Sequence, residues 1–242
     1  GYFGGGIYVS SIDCVDYSND TATAVNKSDF AIINSLGSGY NDTYFAASSS
    51  RESGHPTSIG LLNKTMVTFD TGYFTGGLSP GSVSTVDRLD YSSDTGTMAT
   101  KGPLSVAKYG AGSTSSSDFG YIAGGGAPDK SSVDRINYLN DTTTAVAKGP
   151  LSAARNYIFG TGNASFGYFG GGGLTTVDRI DYSNDGATAV EKGPLSHARS
   201  YIGATGNQDF GYFAGGGNPK ISTVDRIDYS NDTATALVKG PL

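Results

Sequence analysis

The feature that most constrains this chain is that it repeats. A segment opening with Gly-Tyr recurs at Gly1, Gly72, Gly120, Gly167 and Gly211, and the last three intervals are 48, 47 and 44 residues. Each is followed by a second constant stretch, Ile12-Asp13-Cys14-Val15-Asp16-Tyr17 in the first copy, with counterparts starting at Val86, Val133, Val177 and Val224. A polar turn of the Ser-Asn-Asp-Thr type and a Thr/Ala/Val stretch come next, then Lys-Gly-Pro-Leu-Ser at Lys101, Lys148 and Lys192. A period of this size marks supersecondary units that bury their faces against one another.

Within a unit, turn chemistry separates four strand candidates, named a to d. In the final copy they span 200–206, 211–215, 222–229 and 233–239. Composition agrees: 37 glycines and 16 tyrosines, with abundant serine, threonine and aspartate, suit short strands joined by tight turns. The glycine pairs at the end of strand b, such as Gly124-Gly125 and Gly215-Gly216, predict close backbone approach. Small residues in strand a, such as 203–206, suit crowded strands near an axis. Tyr91, Tyr138, Tyr182 and Tyr229, closing strand c, are expected to pack between units with their hydroxyls bonded or wet. The units fall at about 1–27, 59–104, 105–151, 152–195 and 196–242. The first interval, 71 residues, is too long, and the excess lies at 28–58. Because Gly54-His55-Pro56-Thr57-Ser58 resembles the Lys-Gly-Pro-Leu-Ser junction, this stretch reads as an insertion before strand a of unit 2, or as a degenerate sixth unit.

An aromatic before a glycine pair, a variable loop, a strand ending in tyrosine and a polar turn together resemble the kelch repeat, over about four of five copies. The departure is tryptophan: this chain has none, and Ala or Thr stands where kelch units usually carry it. Val-Asp-Arg-Ile-Asp-Tyr-Ser-Asn-Asp followed by Lys-Gly-Pro-Leu-Ser-x-Ala-Arg also looks like kelch-like arrays in structural and tail-fibre proteins of marine viruses and phages. The resemblance implies an all-β propeller of four-stranded blades, five in number or six with one degenerate. It implies a non-enzymatic structural or recognition module on a virion or extracellular surface, with partners among other surface-assembly proteins and a host glycan or receptor. The alternatives are an intracellular kelch adaptor that binds a peptide and a carbohydrate-active propeller enzyme.

Net charge −6 with 16 Lys and Arg argues against nucleic acid, which needs a concentrated basic footprint. No apolar run is long enough for a helical membrane span, and no signal segment opens the chain, which starts at Gly1 inside a repeat, as a processed or partial chain would. The single cysteine, Cys14, excludes an internal disulfide and stands where the other copies carry Arg88, Arg135, Arg179 and Arg226. His55 and His197 are unmatched and do not make a metal site, and no cofactor is expected. Nearly every acid, including Asp178, Asp181 and Asp185, has equivalents in other units and reads as structural; Glu52, Glu191, Asp70 and Asp129 are the exceptions. The turns at 181–185 and 228–232 lack the ligand spacing of a calcium loop and read as self-capping Asx turns. The arginine of strand c reads as an inter-unit ion pair.

The b-to-c connections vary most between copies. In an up-and-down blade they emerge on the same rim as the d-to-a connections, so 28–58 is expected beside them. Tyr40, Tyr44, Lys130, His197 and Lys220 are the candidate contacts for a ligand or neighbouring subunit.

Overall fold

The computed structural model describes residues 2–4, 11–14, 23, 25–29, 71–78, 81–93, 95–126, 128–217 and 220–242. They form an all-β chain of nineteen strands and three short 3-10 turns, with each repeat supplying its own antiparallel sheet. Repeat 3 contains β8 (Gly112–Ser115), β9 (Phe119–Ala123), β10 (Val133–Asn137) and β11 (Val146–Lys148), paired in that order. Repeat 4 contains β12 (Ile158–Gly162), β13 (Phe166–Gly171), β14 (Val177–Asp181) and β15 (Val190–Lys192). Repeat 5 contains β16 (Gly203–Gly206), β17 (Phe210–Ala214), β18 (Val224–Asp228) and β19 (Leu237–Val238). In the earlier repeats the described strands are b, c and d. They are β1 (Tyr2–Gly4), β2 (Ser11–Cys14) and β3 (Val25–Asp29), then β4 (Thr71–Thr75), β5 (Val86–Asp90) and β7 (Ala99–Thr100).

The strands are shorter than their sequence pattern suggests. In repeat 5, strand a begins at Gly203 because Tyr201 takes a left-handed backbone (φ 56°) that cannot continue a ladder. Strand c stops at Asp228, whose side chain caps the 3-10 turn Tyr229–Asn231, and only Leu237–Val238 remains of strand d. Tyr138, Tyr182 and Tyr229 therefore open these turns instead of closing a strand.

The hydrophobic core lies between successive sheets. One cluster joins Tyr73, Val86 and Leu104 of repeat 2 to Ala111, Ile122, Ile136 and Ala145 of repeat 3. Equivalent clusters lie between repeats 3 and 4 and between repeats 4 and 5. A single four-stranded unit could bury neither face alone, and stacking supplies its second wall. The tyrosine of strand b stacks on the tyrosine that opens the next repeat's turn. Tyr121 and Tyr182 have centroids 4.8 Å apart, and Tyr168 and Tyr229 4.6 Å. The second ring's hydroxyl meets a strand-a threonine of the preceding repeat, Thr114 for Tyr182 and Thr161 for Tyr229.

The junction between repeats 1 and 2 follows the same plan. Ser28 and Asp29 of β3 pair in parallel with Gly96 and Thr97 of β6 (Gly96–Thr97). In sequence register Ser28 corresponds to Gly102, and Gly96 to Thr143, which adjoin at the junction between repeats 2 and 3. All four successive junctions therefore use one docking position, the blade-to-blade stacking of a propeller architecture.

Candidate functional site

Charged residues inside the stack are the first place to look for chemistry, and two repeated constellations account for most of them. In the first, the aspartate at the second position of strand c is buried and meets the cation that ends the Lys-Gly-Pro-Leu-Ser-x-Ala-Arg stretch of its own repeat. Asp178 meets Arg155, Asp225 meets Arg199, and Asp134 meets Lys108 at 2.9 Å. Arg155 also donates to the carbonyls of Gly171 (3.2 Å) and Thr176 (2.8 Å). Arg199 does the same with Gly215 and Thr223. Burial pushes the Lys108 ammonium below its ordinary range, against the pull of Asp134. These pairs clamp the d-to-a connection onto strand c.

The second constellation joins repeats. In the turns of repeats 3, 4 and 5 the last aspartate accepts from three side chains of the preceding repeat. Asp232 Oδ2 takes the Tyr168 hydroxyl at 2.8 Å and Arg179 at 2.7 Å, and Asp232 Oδ1 takes Lys192 at 3.1 Å. Asp185 is held likewise by Tyr121 (3.0 Å), Arg135 (2.7 Å) and Lys148 (3.0 Å). Asp141 is held by Tyr73 (2.9 Å), Arg88 (2.7 Å) and Lys101 (3.4 Å). Burial alone would raise the Asp185 carboxyl, but Lys148, Tyr121 and Arg135 outweigh it and hold it below the ordinary range. Asp232 behaves the same way. The backbone joins in, with the Gly193 N–H donating to the Asp232 carbonyl at 2.8 Å.

The turn acids thus divide into two kinds. Asp181 and Asp228 cap their own turns by accepting from Ser183 and Ser230, as expected of Asx turns. Asp185 and Asp232, read from sequence as members of the same self-capping turns, instead bind the preceding repeat. The strand-c arginines Arg88, Arg135 and Arg179 make the inter-unit ion pairs their pattern suggests.

The loop rim is built differently. Lys130, in the b-to-c connection of repeat 3, forms an isolated bridge with Arg155, in the connection leading into strand a of repeat 4; Leu174 and Arg199 repeat this one repeat later. The b-to-c and d-to-a connections therefore emerge together. The Lys130 ammonium closes its own loop by donating to the carbonyls of Gly126 (3.1 Å) and Pro128 (2.9 Å). His197 is exposed, with Nδ1 2.9 Å from the Ser196 hydroxyl, and Lys220 is exposed and bridges to Gly217 through its backbone. No hydrogen bond or ion pair joins Lys130, His197 and Lys220 to one another among the described residues. Tyr40 and Tyr44 lie outside those residues.

The structure adds three rim residues that the sequence reading missed. Tyr109, Tyr157 and Tyr201 follow the buried cations Lys108, Arg155 and Arg199 and form a ladder across repeats 3, 4 and 5, with centroids 5.8 Å and then 4.4 Å apart. Tyr157 and Tyr201 carry positive φ (49° and 56°), a costly backbone for a bulky side chain. Burial and the neighbouring hydroxyls of Tyr109 and Tyr201 raise the Tyr157 phenol far above its ordinary value. All three rings are half-buried. An aromatic recurring one or two residues after each Lys/Arg was the available signal.

The chain matches no protein-family model and no curated protein sequence.

Proposed function

We propose that the chain is a non-enzymatic binding and structural module, a kelch-like propeller serving in a virion fibre or another surface assembly and recognising a partner through its b-to-c and d-to-a rim. The observation that carries this reading is how the charged side chains divide. The repeated acids and bases serve the clamp and the inter-repeat junctions, where each carboxylate already meets its cation. A nucleophile or general acid needs a group free to exchange protons with substrate, and those carboxylates are committed elsewhere. The rim combines the tyrosine ladder with the exposed His197 and Lys220, amphipathic groups of the kind that hold glycans and protein surfaces. Tyr40 and Tyr44 extend this rim in the proposal.

Two measurements test it. Antibodies against the chain should decorate intact virus particles or the outer surface of cells from the source. On a glycan array and on host-cell surfaces, His197→Ala/Lys220→Ala and Tyr40→Ala/Tyr44→Ala should weaken binding at least tenfold. Changes in the a-to-b and c-to-d turns, Gln208→Ala and Leu139→Ala, should leave it unchanged. Binding lost only with the latter pair would overturn the rim assignment, and substrate turnover abolished by a single unrepeated acid such as Glu191 would overturn the non-enzymatic one.

A further inference from the structure

Two residues after the buried clamp cation, the backbone of repeats 3, 4 and 5 turns to positive φ: 62° at Gly110, 49° at Tyr157 and 56° at Tyr201. Glycine takes this conformation freely, and repeat 3 uses it. Repeats 4 and 5 place tyrosine there instead, and these are the only two non-glycine residues with positive φ among the described residues. The strain is thus confined to one pair of side chains, on adjacent repeats.

What the strained backbone delivers is a contact between two phenols. The rings of Tyr157 and Tyr201 have centroids 4.4 Å apart and planes tilted by 38°. Each ring is held against a glycine: a Cβ on Gly110 would lie 3.0 Å from the Tyr157 ring, and one on Gly217 3.0 Å from the Tyr201 ring. The Tyr157 hydroxyl shares hydrogen bonds with those of Tyr109 and Tyr201. In a phenol the ortho carbons adjoin the carbon that bears the hydroxyl, so touching rings whose hydroxyls meet set an ortho carbon of one beside an ortho carbon of the other. Both rings are also half-exposed.

The other tyrosine pairs lack this combination. Tyr109 meets Tyr157 edge-on, at 5.8 Å and 66°. Tyr121–Tyr182 and Tyr168–Tyr229 stack at 4.8 and 4.6 Å, but their hydroxyls part, one to an aspartate and the other to a threonine. Tyr121 and Tyr168 are moreover fully buried, out of reach of a reagent.

We propose that Tyr157 and Tyr201 form an oxidative modification site, at which hydrogen peroxide and a haem peroxidase join the two rings as dityrosine. Each phenol gives up one electron and one proton. The two phenoxyl radicals couple through one new carbon–carbon bond between ortho carbons, and the two ortho hydrogens move to the oxygens, which restores both aromatic phenols. The peroxide O–O bond breaks and takes the two electrons and two protons, leaving two waters. Because the rings are already neighbours, coupling needs no diffusional encounter. The product ties the connection entering strand a of repeat 4 to that of repeat 5, closing a loop as a disulfide would, in a chain whose single cysteine offers no internal disulfide.

The test uses the intact folded chain, as an equal mixture of ordinary and heavy-nitrogen-labelled protein, treated with hydrogen peroxide and a haem peroxidase and then digested. Free tyrosine in a parallel reaction shows that the reagent couples phenols. The expected result is dityrosine fluorescence and a peptide pair two hydrogens lighter than its sum, joined at Tyr157 and Tyr201 within one isotopic species. Tyr157→Phe and Tyr201→Phe, which keep the ring and lose the hydroxyl, should each lose this product, and Tyr109→Phe should retain it. Unfolding in urea before oxidation should abolish the preference for the pair. No dityrosine, links chiefly between isotopic species, links chiefly at Tyr109–Tyr157 or in the buried stacked pairs, or the same distribution from the unfolded chain would each overturn the proposal. The link is mapped on the unaltered chain, so the outcome does not rest on a variant's folding, and it involves no recognition partner, so it stands apart from tests of the rim.

Discussion

At the residue scale, Arg199 shows what the buried clamp demands. Its guanidinium satisfies Asp225 and two carbonyls, those of Gly215 and Thr223, and the side chain is fully buried. Replacing it with methionine leaves a buried carboxylate without its cation, which costs about 3–5 kcal/mol. Adding Asp225→Leu removes that lone charge, but two carbonyls stay unpaired at about 1–3 kcal/mol each, so the double variant recovers only part of the loss. Arg199→Lys should be milder than either, because repeat 3 already uses a lysine: Lys108 reaches Asp134 and the Ser132 hydroxyl, and Thr223 offers a hydroxyl in the same register. Urea unfolding of the three variants gives the order. If Arg199→Lys proves as damaging as Arg199→Met, the clamp depends on the guanidinium fork and not on charge.

At the element scale, the glycine of Lys-Gly-Pro-Leu-Ser sets how closely one repeat approaches the next. Its N–H donates to the turn aspartate's carbonyl, and the following proline carbonyl accepts from the small residue beyond the turn, as Ala236 N–H donates to Pro194 at 2.9 Å. Gly193→Ala must push the Ala234 carbonyl away and should destabilise by about 1–3 kcal/mol, whereas Gly186→Ala, which meets nothing within 4 Å, should be near neutral. Equal thermal shifts for the two would remove the glycine from the junction. The repeat, its strand order and the packing tyrosines were legible because period and turn chemistry are local properties. The junction's central acid was not, because Asp185 and Asp181 stand four residues apart in one turn and differ only in what the preceding repeat brings to them. The close contact at Gly193 was hidden for the same reason, since the carbonyl it meets lies in the next repeat. Tyr157 and Tyr201 escaped notice because nothing in a Tyr-Ile pair announces a left-handed backbone. On the rim, Lys130 was chosen for its variable loop, yet its ammonium is spent holding that loop together.

At the scale of the whole molecule, stability is a sum over similar junctions, so a condition that weakens one weakens all. Acid is such a condition. Asp185 and Asp232 are held below the ordinary carboxylate range in the folded state, despite burial, by the cations and tyrosines that clasp them. A carboxyl depressed in this way contributes stability that is present above its unfolded pKa of about 4 and is lost as pH falls from there through the folded value. Asp87 opposes this: burial, only partly countered by Thr100, raises its carboxyl, so its contribution is present in acid and lost as pH rises through the raised value. Asp185 and Asp232 bridge repeats, whereas Asp87 lies within one and the other depressed acids, Asp90, Asp181 and Asp228, cap their own exposed turns, so acid should loosen the contacts between sheets as well as the turns. The melting temperature should therefore fall steeply as pH drops below about 4. Asp185→Asn/Asp232→Asn should melt lower than the parent at neutral pH, because asparagine brings no charge to the junction cations. Its melting temperature should also change less with acid, since the two groups whose protonation drives the loss are gone. Melting curves across this range decide the point. A double variant as acid-labile as the parent would mean that the carboxylates of Asp185 and Asp232 do not carry the pH dependence.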